Sequence, residues 1–184
     1  MSSGVLDALK SRFGEAILAT HADCGDETAV VAPGQLLEIA GLLRDDPALA
    51  FDLPLDVTAV DYFSHPSPRP CATRFEVIYH LRSLSHGHRI RLKVQLTAGA
   101  PQLPSLSPIW PGFSWYERET FDMFGIHFAN HPDLRRLLLY PEFVGHPLRK
   151  DYPLRGYQPT MEMPTLGGNR PAELDSSPEE DWPC

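Results

Sequence analysis

Residues 75–96 read FEVIYHLRSLSHGHRIRLKVQL. Phe75, Val77, Tyr79 and Leu81 alternate with Glu76, Ile78, His80 and Arg82. Beyond the turn Ser85-His86-Gly87, Ile90, Leu92, Val94 and Leu96 alternate with Arg89, Arg91, Lys93 and Gln95. A period of two on both sides of a glycine turn specifies a half-buried antiparallel pair. The basic face of its second strand, Arg89, Arg91 and Lys93, reads as a solvated sheet face rather than a site.

Upstream, Phe51–Phe63 reads as a strand interrupted by Pro54, followed by a proline-rich loop at 65–70. Pro33 suits the first position of a helix, and Leu36, Ile39, Ala40 and Leu43 follow at helical spacing. Asp45-Asp46-Pro47 ends it, because the residue before proline avoids the α region. Ala16–Thr20 and Thr28–Val31 predict short strands, and Leu6–Phe13 a short helix stopped by Gly14. Downstream, Pro101, Pro104, Pro108 and Pro111 predict an irregular crossing. The fold class expected is α+β: a mostly antiparallel sheet, helices packed mainly on one face, and an irregular proline-rich C-terminal arm. The division expected is a body at 1–112, a docking arm at 113–157 and a tail at 158–184.

The chain has 184 residues and a formal charge of −8. Residues 1–155 hold 15 basic against 18 acidic side chains, whereas 156–184 hold one arginine against six acids. The body is thus nearly neutral, and nothing suggests the basic face of a nucleic-acid binder. The acidic tail, with five prolines, reads as disordered or ordered only against a partner. Cys24, Cys71 and Cys184 have no metal-ligand spacing, which argues against a zinc or iron–sulfur site built by this chain alone. Met1 to Arg12 lacks a basic region followed by an apolar stretch, so no secretory signal is expected. No apolar run is long enough to span a membrane.

Residues 113–128, FSWYERETFDMFGIHF, predict a helix over Trp115–Phe124. Ser114 and Glu117 have capping-box spacing, and Gly125 suits the position after the last turn. Tyr116, Phe121, Met123 and Phe124 cover one side, and Tyr116, Phe121 and Phe124 should hold the helix to the body. Arg118, Glu119 and Asp122 cluster on the other, where Arg118 and Asp122 have pairing distance at i, i+4. Glu117 falls on the apolar side, so it is a capping acceptor, a buried carboxylate needing a cation, or both.

Residues 131–157 read HPDLRRLLLYPEFVGHPLRKDYPLRGY. Leu134–Tyr140 suggests a short helical segment, and Pro147 and Pro153 break the remainder into extended pieces. Arg135, Arg136, Arg149, Lys150 and Arg155 concentrate cations here, with His131 and His146 among them. Extended backbone must find hydrogen-bond partners elsewhere, in this chain or another. His127 and His131 are four apart, yet Gly125 has already ended the helix, so no metal pair is expected from them.

ERETFDMFGI at 117–126, HPDLRR at 131–136 and GHPLRKDYPL at 145–154 resemble the signature of the 30 kDa-type subunit (the C subunit) of respiratory complex I, the proton-translocating NADH:quinone oxidoreductase. The likeness extends to Thr58–Tyr62, FEVIYHL at 75–81 and the strand from Arg89 to Val94, and covers roughly 5–157. Phe121 stands where the family usually has Trp. The resemblance implies a non-redox, non-catalytic subunit of the peripheral arm, on the cytoplasmic face of a bacterial plasma membrane. It implies no cofactor in this chain, with FMN, iron–sulfur clusters and quinone on other subunits. The partners implied are the 49 kDa-type quinone-site subunit (the D subunit) and the B and I iron–sulfur subunits. The interface residues expected are Glu117, Arg118, Glu119, Asp122, His131, Arg135, Arg136, His146, Arg149, Lys150 and Asp151, with the helix's polar side and the arginines facing a partner. Two alternatives stay open. One is the equivalent subunit of a related membrane-bound hydrogenase or a ferredoxin- or deazaflavin-fed dehydrogenase. The other is an independent soluble enzyme using the carboxylates at 117–122.

Overall fold

The hairpin forms as its alternation dictates. Strands β4 (Phe75–Arg82) and β5 (Arg89–Leu96) pair antiparallel, from Phe75 opposite Leu96 to Arg82 opposite Arg89. Phe75, Val77, Tyr79, Leu81, Ile90, Leu92, Val94 and Leu96 are all buried. These observations come from a computed structural model that describes residues 3–66 and 73–158. Part of the proline-rich loop, Cys71 and all of the tail beyond Gln158 lie outside the described residues.

The hairpin is the centre of a five-stranded sheet. Strand β1 (Ile17–His21) pairs with β2 (Thr28–Val31), β2 runs parallel to β5, and β3 (Leu53–Asp61) lies beyond β4 at the opposite edge. Pro54 sits on that edge strand at a shift in register, where a missing N–H is tolerated. Helix α1 (Ser3–Phe13) and helix α2 (Leu36–Asp45) complete the N-terminal part. Helix α2 buries Leu36, Ile39, Ala40 and Leu43, the four positions its spacing selects. One apolar cluster joins these helices to the inner sheet face. Fully burying an aromatic such as Phe51 or Phe75 contributes about 1.5–3 kcal/mol.

Three local expectations are corrected. The crossing after Pro101 is not wholly irregular: β6 (Gln102–Pro104) pairs in parallel with β7 (His127–Ala129). Proline lacks a donor but keeps its acceptor, and Pro101 C=O accepts from His127 N–H at 2.9 Å. Helix α3 (Phe113–Phe124) starts earlier than Trp115 and has no capping box. The amides of Phe113 and Ser114 donate instead to the carbonyls of Trp110 and Pro111, at 3.0 and 3.1 Å. Lastly, Leu134–Tyr140 forms bends rather than a helix.

Helix α3 shares the core of the sheet. Phe113, Met123 and Phe124 enter the apolar cluster, with Tyr116 and Phe121 packed at its margin. Thr120 Oγ1 donates to the Val57 carbonyl of β3 at 3.1 Å, and Trp110 Nε1 donates to the Phe51 carbonyl at 2.9 Å. The helix is thereby fixed to the sheet edge, with its C-terminal end presented to the chain beyond β7.

Candidate functional site

The segment after β7 is broken by prolines and keeps only isolated turn bonds, such as Phe143 N–H to the Tyr140 carbonyl, so the amides of 137–139 need acceptors outside it. Asp122, fully buried on α3, accepts them. Its Oδ2 receives the N–H groups of Leu137, Leu138 and Leu139 at 3.0, 2.9 and 2.9 Å. Its Oδ1 receives Arg136 Nη1 at 2.7 Å. Burial alone would raise the Asp122 pKa, but the three amides and the guanidinium outweigh it and hold the group below its ordinary 3.8. The bends at 137–139 exist because three successive amides converge on one oxygen, which a helix would not permit.

The expected Arg118–Asp122 pair is therefore not formed. Arg118 reaches the carbonyls of Arg135 and Arg136, both at 3.1 Å, and lies over the Trp115 ring at 5.0 Å. Arg136 also donates to the carbonyls of Phe143 and Gly145.

The GHPLRK stretch caps the end of α3. The last carbonyls of a helix have no partner within it. His146 Nδ1 donates to the Asp122 carbonyl at 2.9 Å, and Leu148 N–H to the Met123 carbonyl at 3.1 Å. Arg149 donates to the carbonyls of Phe124 and Gly125, at 2.5 and 3.3 Å. Desolvation lowers the His146 pKa more than its bond to the Asp122 carbonyl raises it. Gly125 has φ +69, and a Cβ there would lie 2.5 Å from the His146 ring and 2.6 Å from Arg149 Nη2. Only glycine lets both side chains approach.

A second buried carboxylate ties the arm to the sheet. Asp61, at the end of β3, bonds Arg74 at 2.8 and 3.0 Å and accepts Lys150 N–H at 2.9 Å. Arg74 also reaches Asp151 at 2.7 Å and lies over the rings of Phe63 and Phe75. Burial opposes ionisation of Asp61, but Arg74 and the amides of Lys150 and Phe63 hold its pKa below 3.8. Asp61 and Arg74 were not among the expected site residues. The sequence does carry a signal: Asp61 continues the buried alternation of Val57 and Ala59, so a carboxylate occupies an inward position.

Glu117 is a buried carboxylate, as one of its two readings had it, but it neither caps the helix nor pairs with a full cation. It accepts Ser105 Oγ at 2.5 Å and Leu106 N–H at 2.7 Å. His131 Nε2 stands 4.0 Å away and is bonded to the Ser114 carbonyl at 3.1 Å. Glu119 is exposed, and Arg135 makes only an exposed pair with Asp133. The carboxylates of 117–122 thus do not converge on one point: one faces the 105–107 loop, one faces the arm and one faces solvent. The basic strand face is paired rather than bare, with Arg89 and Arg91 on Asp26 and Lys93 on Glu76.

Asp122 on α3 and two of the arm's arginines, Arg136 and Arg149, are thus bonded within the chain, whereas Glu119 is exposed. The arm's outer surface mixes charged residues such as Arg135, Lys150 and Arg155 with a set of large apolar side chains. Leu138, Tyr140, Val144, Leu148, Leu154 and Tyr157 are exposed, as is neighbouring Phe63. Among the described residues no helix is long and apolar enough to cross a membrane.

The chain matches the family model of the respiratory-chain NADH dehydrogenase 30 kDa subunit over residues 29–158. It is 42% identical to the C subunit of the NADH-quinone oxidoreductase of Coxiella burnetii, covering 83% of this chain and 78% of that one. The same subunit of a Methylobacterium species is 45% identical over 84% of this chain and 71% of its own length. A trypsin-resistant fragment of Nqo5 superposes with a TM-score of 0.61 at 29% identity, over 71% of this chain and 98% of the fragment. A chain of the archaeal membrane-bound sulfane sulfur reductase shares the fold, with a TM-score of 0.66 at 21% identity over 82% of this chain and 85% of its own. On the family model and these relatives, the chain belongs to the 30 kDa subunit family, the C subunits of NADH-quinone oxidoreductase, the enzyme also called complex I.

Proposed function

We propose that the chain is a non-redox structural subunit of the peripheral arm of complex I. It fixes the relative position of the 49 kDa-type quinone-site subunit and the B and I iron–sulfur subunits. Electrons then pass from NADH to quinone through FMN and clusters held by those and other subunits, and the transfer is coupled to proton translocation. The chain sits on the cytoplasmic face of the bacterial plasma membrane and touches the membrane only through the complex.

One observation carries this reading. The arm bonds Arg136, His146 and Arg149 within the chain and leaves Leu138, Val144, Leu148, Leu154 and Tyr157 exposed. Such a surface is covered by apolar area on a neighbour rather than by a soluble substrate. The inward arginines then act as internal struts that hold the surface in shape. Arg149→Ala or Arg118→Ala lowers the amount of assembled complex in membranes while each assembled complex keeps its turnover. Normal assembly with lost turnover per complex contradicts the structural role.

A further inference from the structure

Two carboxylates five residues apart on α3 are both fully buried, yet they are treated differently. Asp122 has a guanidinium and three amides. Glu117 has one hydroxyl and one amide. A buried carboxylate without a paired cation takes up a proton rather than bear the cost of its charge. We infer that Glu117 is a proton-binding site: α3 seats on the 105–107 loop with this carboxyl group protonated, and loss of the proton loosens the seat. This goes beyond the scaffold role and does not depend on it.

The hydrogen bonds accommodate the proton. Glu117 Oε2 and Ser105 Oγ are 2.5 Å apart, and Ser105 Oγ lies 2.7 Å from Ser107 Oγ. With Glu117 protonated, its hydroxyl donates to Ser105, which donates on to Ser107. With Glu117 ionised, both hydroxyls turn round and Ser105 donates to the carboxylate. The Leu106 amide serves the other oxygen in either state. Two titratable groups face Glu117. Tyr79 from β4 is fully buried, its hydroxyl has no hydrogen-bond partner among the described residues, and burial together with the Glu117 charge raises its pKa. It carries no charge and supplies Glu117 no cation. His131 comes from the segment after β7. Its Nδ1 accepts the Asp133 amide at 3.0 Å while Nε2 donates to the Ser114 carbonyl. Both ring nitrogens are engaged in those bonds, and Nε2 stands 4.0 Å from Glu117, outside hydrogen-bond distance. Burial raises the Glu117 pKa from 4.5 to about 7, against smaller opposing contributions from Ser105 and the Leu106 amide.

The sign follows. The folded chain binds this proton more tightly than the unfolded chain. The stabilisation is complete below about 4.5 and is lost as pH rises through about 7. Glu117→Gln reproduces the protonated acid, its carbonyl accepting from Leu106 and its amide donating to Ser105. Denaturant unfolding of the full chain from pH 5 to 9 compares the two. Relative to the variant, the wild-type unfolding constant rises steeply up to about pH 7, approaching tenfold per pH unit, by roughly 75-fold across the measured range. Parallel profiles for wild type and variant overturn the inference. If the variant does not fold, the decision passes to a carboxyl-carbon NMR titration of the wild-type chain. One glutamate with a midpoint near 7 upholds the inference, and all glutamates titrating in the ordinary range overturn it.

Discussion

The sheet and the arm are built on opposite plans. In the β4–β5 hairpin apolar side chains point in and charged ones point out. In the arm, Asp122, Arg136, His146 and Arg149 point in, and Leu138, Val144, Leu148 and Leu154 point out. The difference teaches what each region is for. A sheet bonds its own backbone, so its inner face is free to be apolar and supply stability. The arm has no ladder, so its inner face is largely spent on amides and carbonyls; Leu134 and Leu139 pack on the core, and its other large apolar residues stay exposed, available to the neighbour proposed above.

The comparison breaks most visibly at Asp122. Asp122→Ala strands a guanidinium and three amides, and removing one partner of a buried pair costs about 3–5 kcal/mol. The account expects protease cleavage within 131–157 while the sheet stays protected; uniform cleavage would mean that the two regions are not distinct. Leu92→Ala tests the other plan. It costs about 2–5 kcal/mol in global denaturant stability, through lost burial and a cavity, and should not expose the arm selectively.

Gly125→Ala forces a left-handed alanine, at about 1–2 kcal/mol from the backbone alone, and pushes a methyl group into His146 and Arg149. Protease access to the arm should rise without loss of sheet stability. Acid sharpens the same contrast. Asp61 and Asp122 both have pKa values below 3.8, so the stabilisation they give the arm is present above that value and is lost as pH falls through the folded values. Amide exchange at 137–139 should therefore stay slow down to the ordinary carboxylate range and rise only below it. The smallest effect is expected for Leu148→Ser and Leu154→Ser, which should change the stability of the free chain by no more than about 0.5 kcal/mol.

The sheet was legible in the sequence because period two survives wherever one face is buried. Helix α2 was legible for the matching reason at period 3.6. The small β6–β7 pair was not, because prolines at 101 and 104 suppress the strand signal although the Pro101 carbonyl still accepts. The site was legible as a set of residues but not as an arrangement. Arg118 and Asp122 have the spacing of a helix pair, yet backbone amides and Arg136 compete for the same carboxylate and win through number and burial. Capping was misread for a similar reason, since a preceding turn supplied the acceptors that the capping-box pattern assigned to side chains. Periodicity reports which face is buried. It does not report which partner a buried charge will take.

The outward apolar face of the arm is the central claim. Hydroxyl-radical footprinting of Leu148, Leu154 and Tyr157 in the free chain and in the intact membrane complex tests it most directly. The account predicts strong labelling of all three in the free chain and protection on assembly. Equal labelling in both would contradict it.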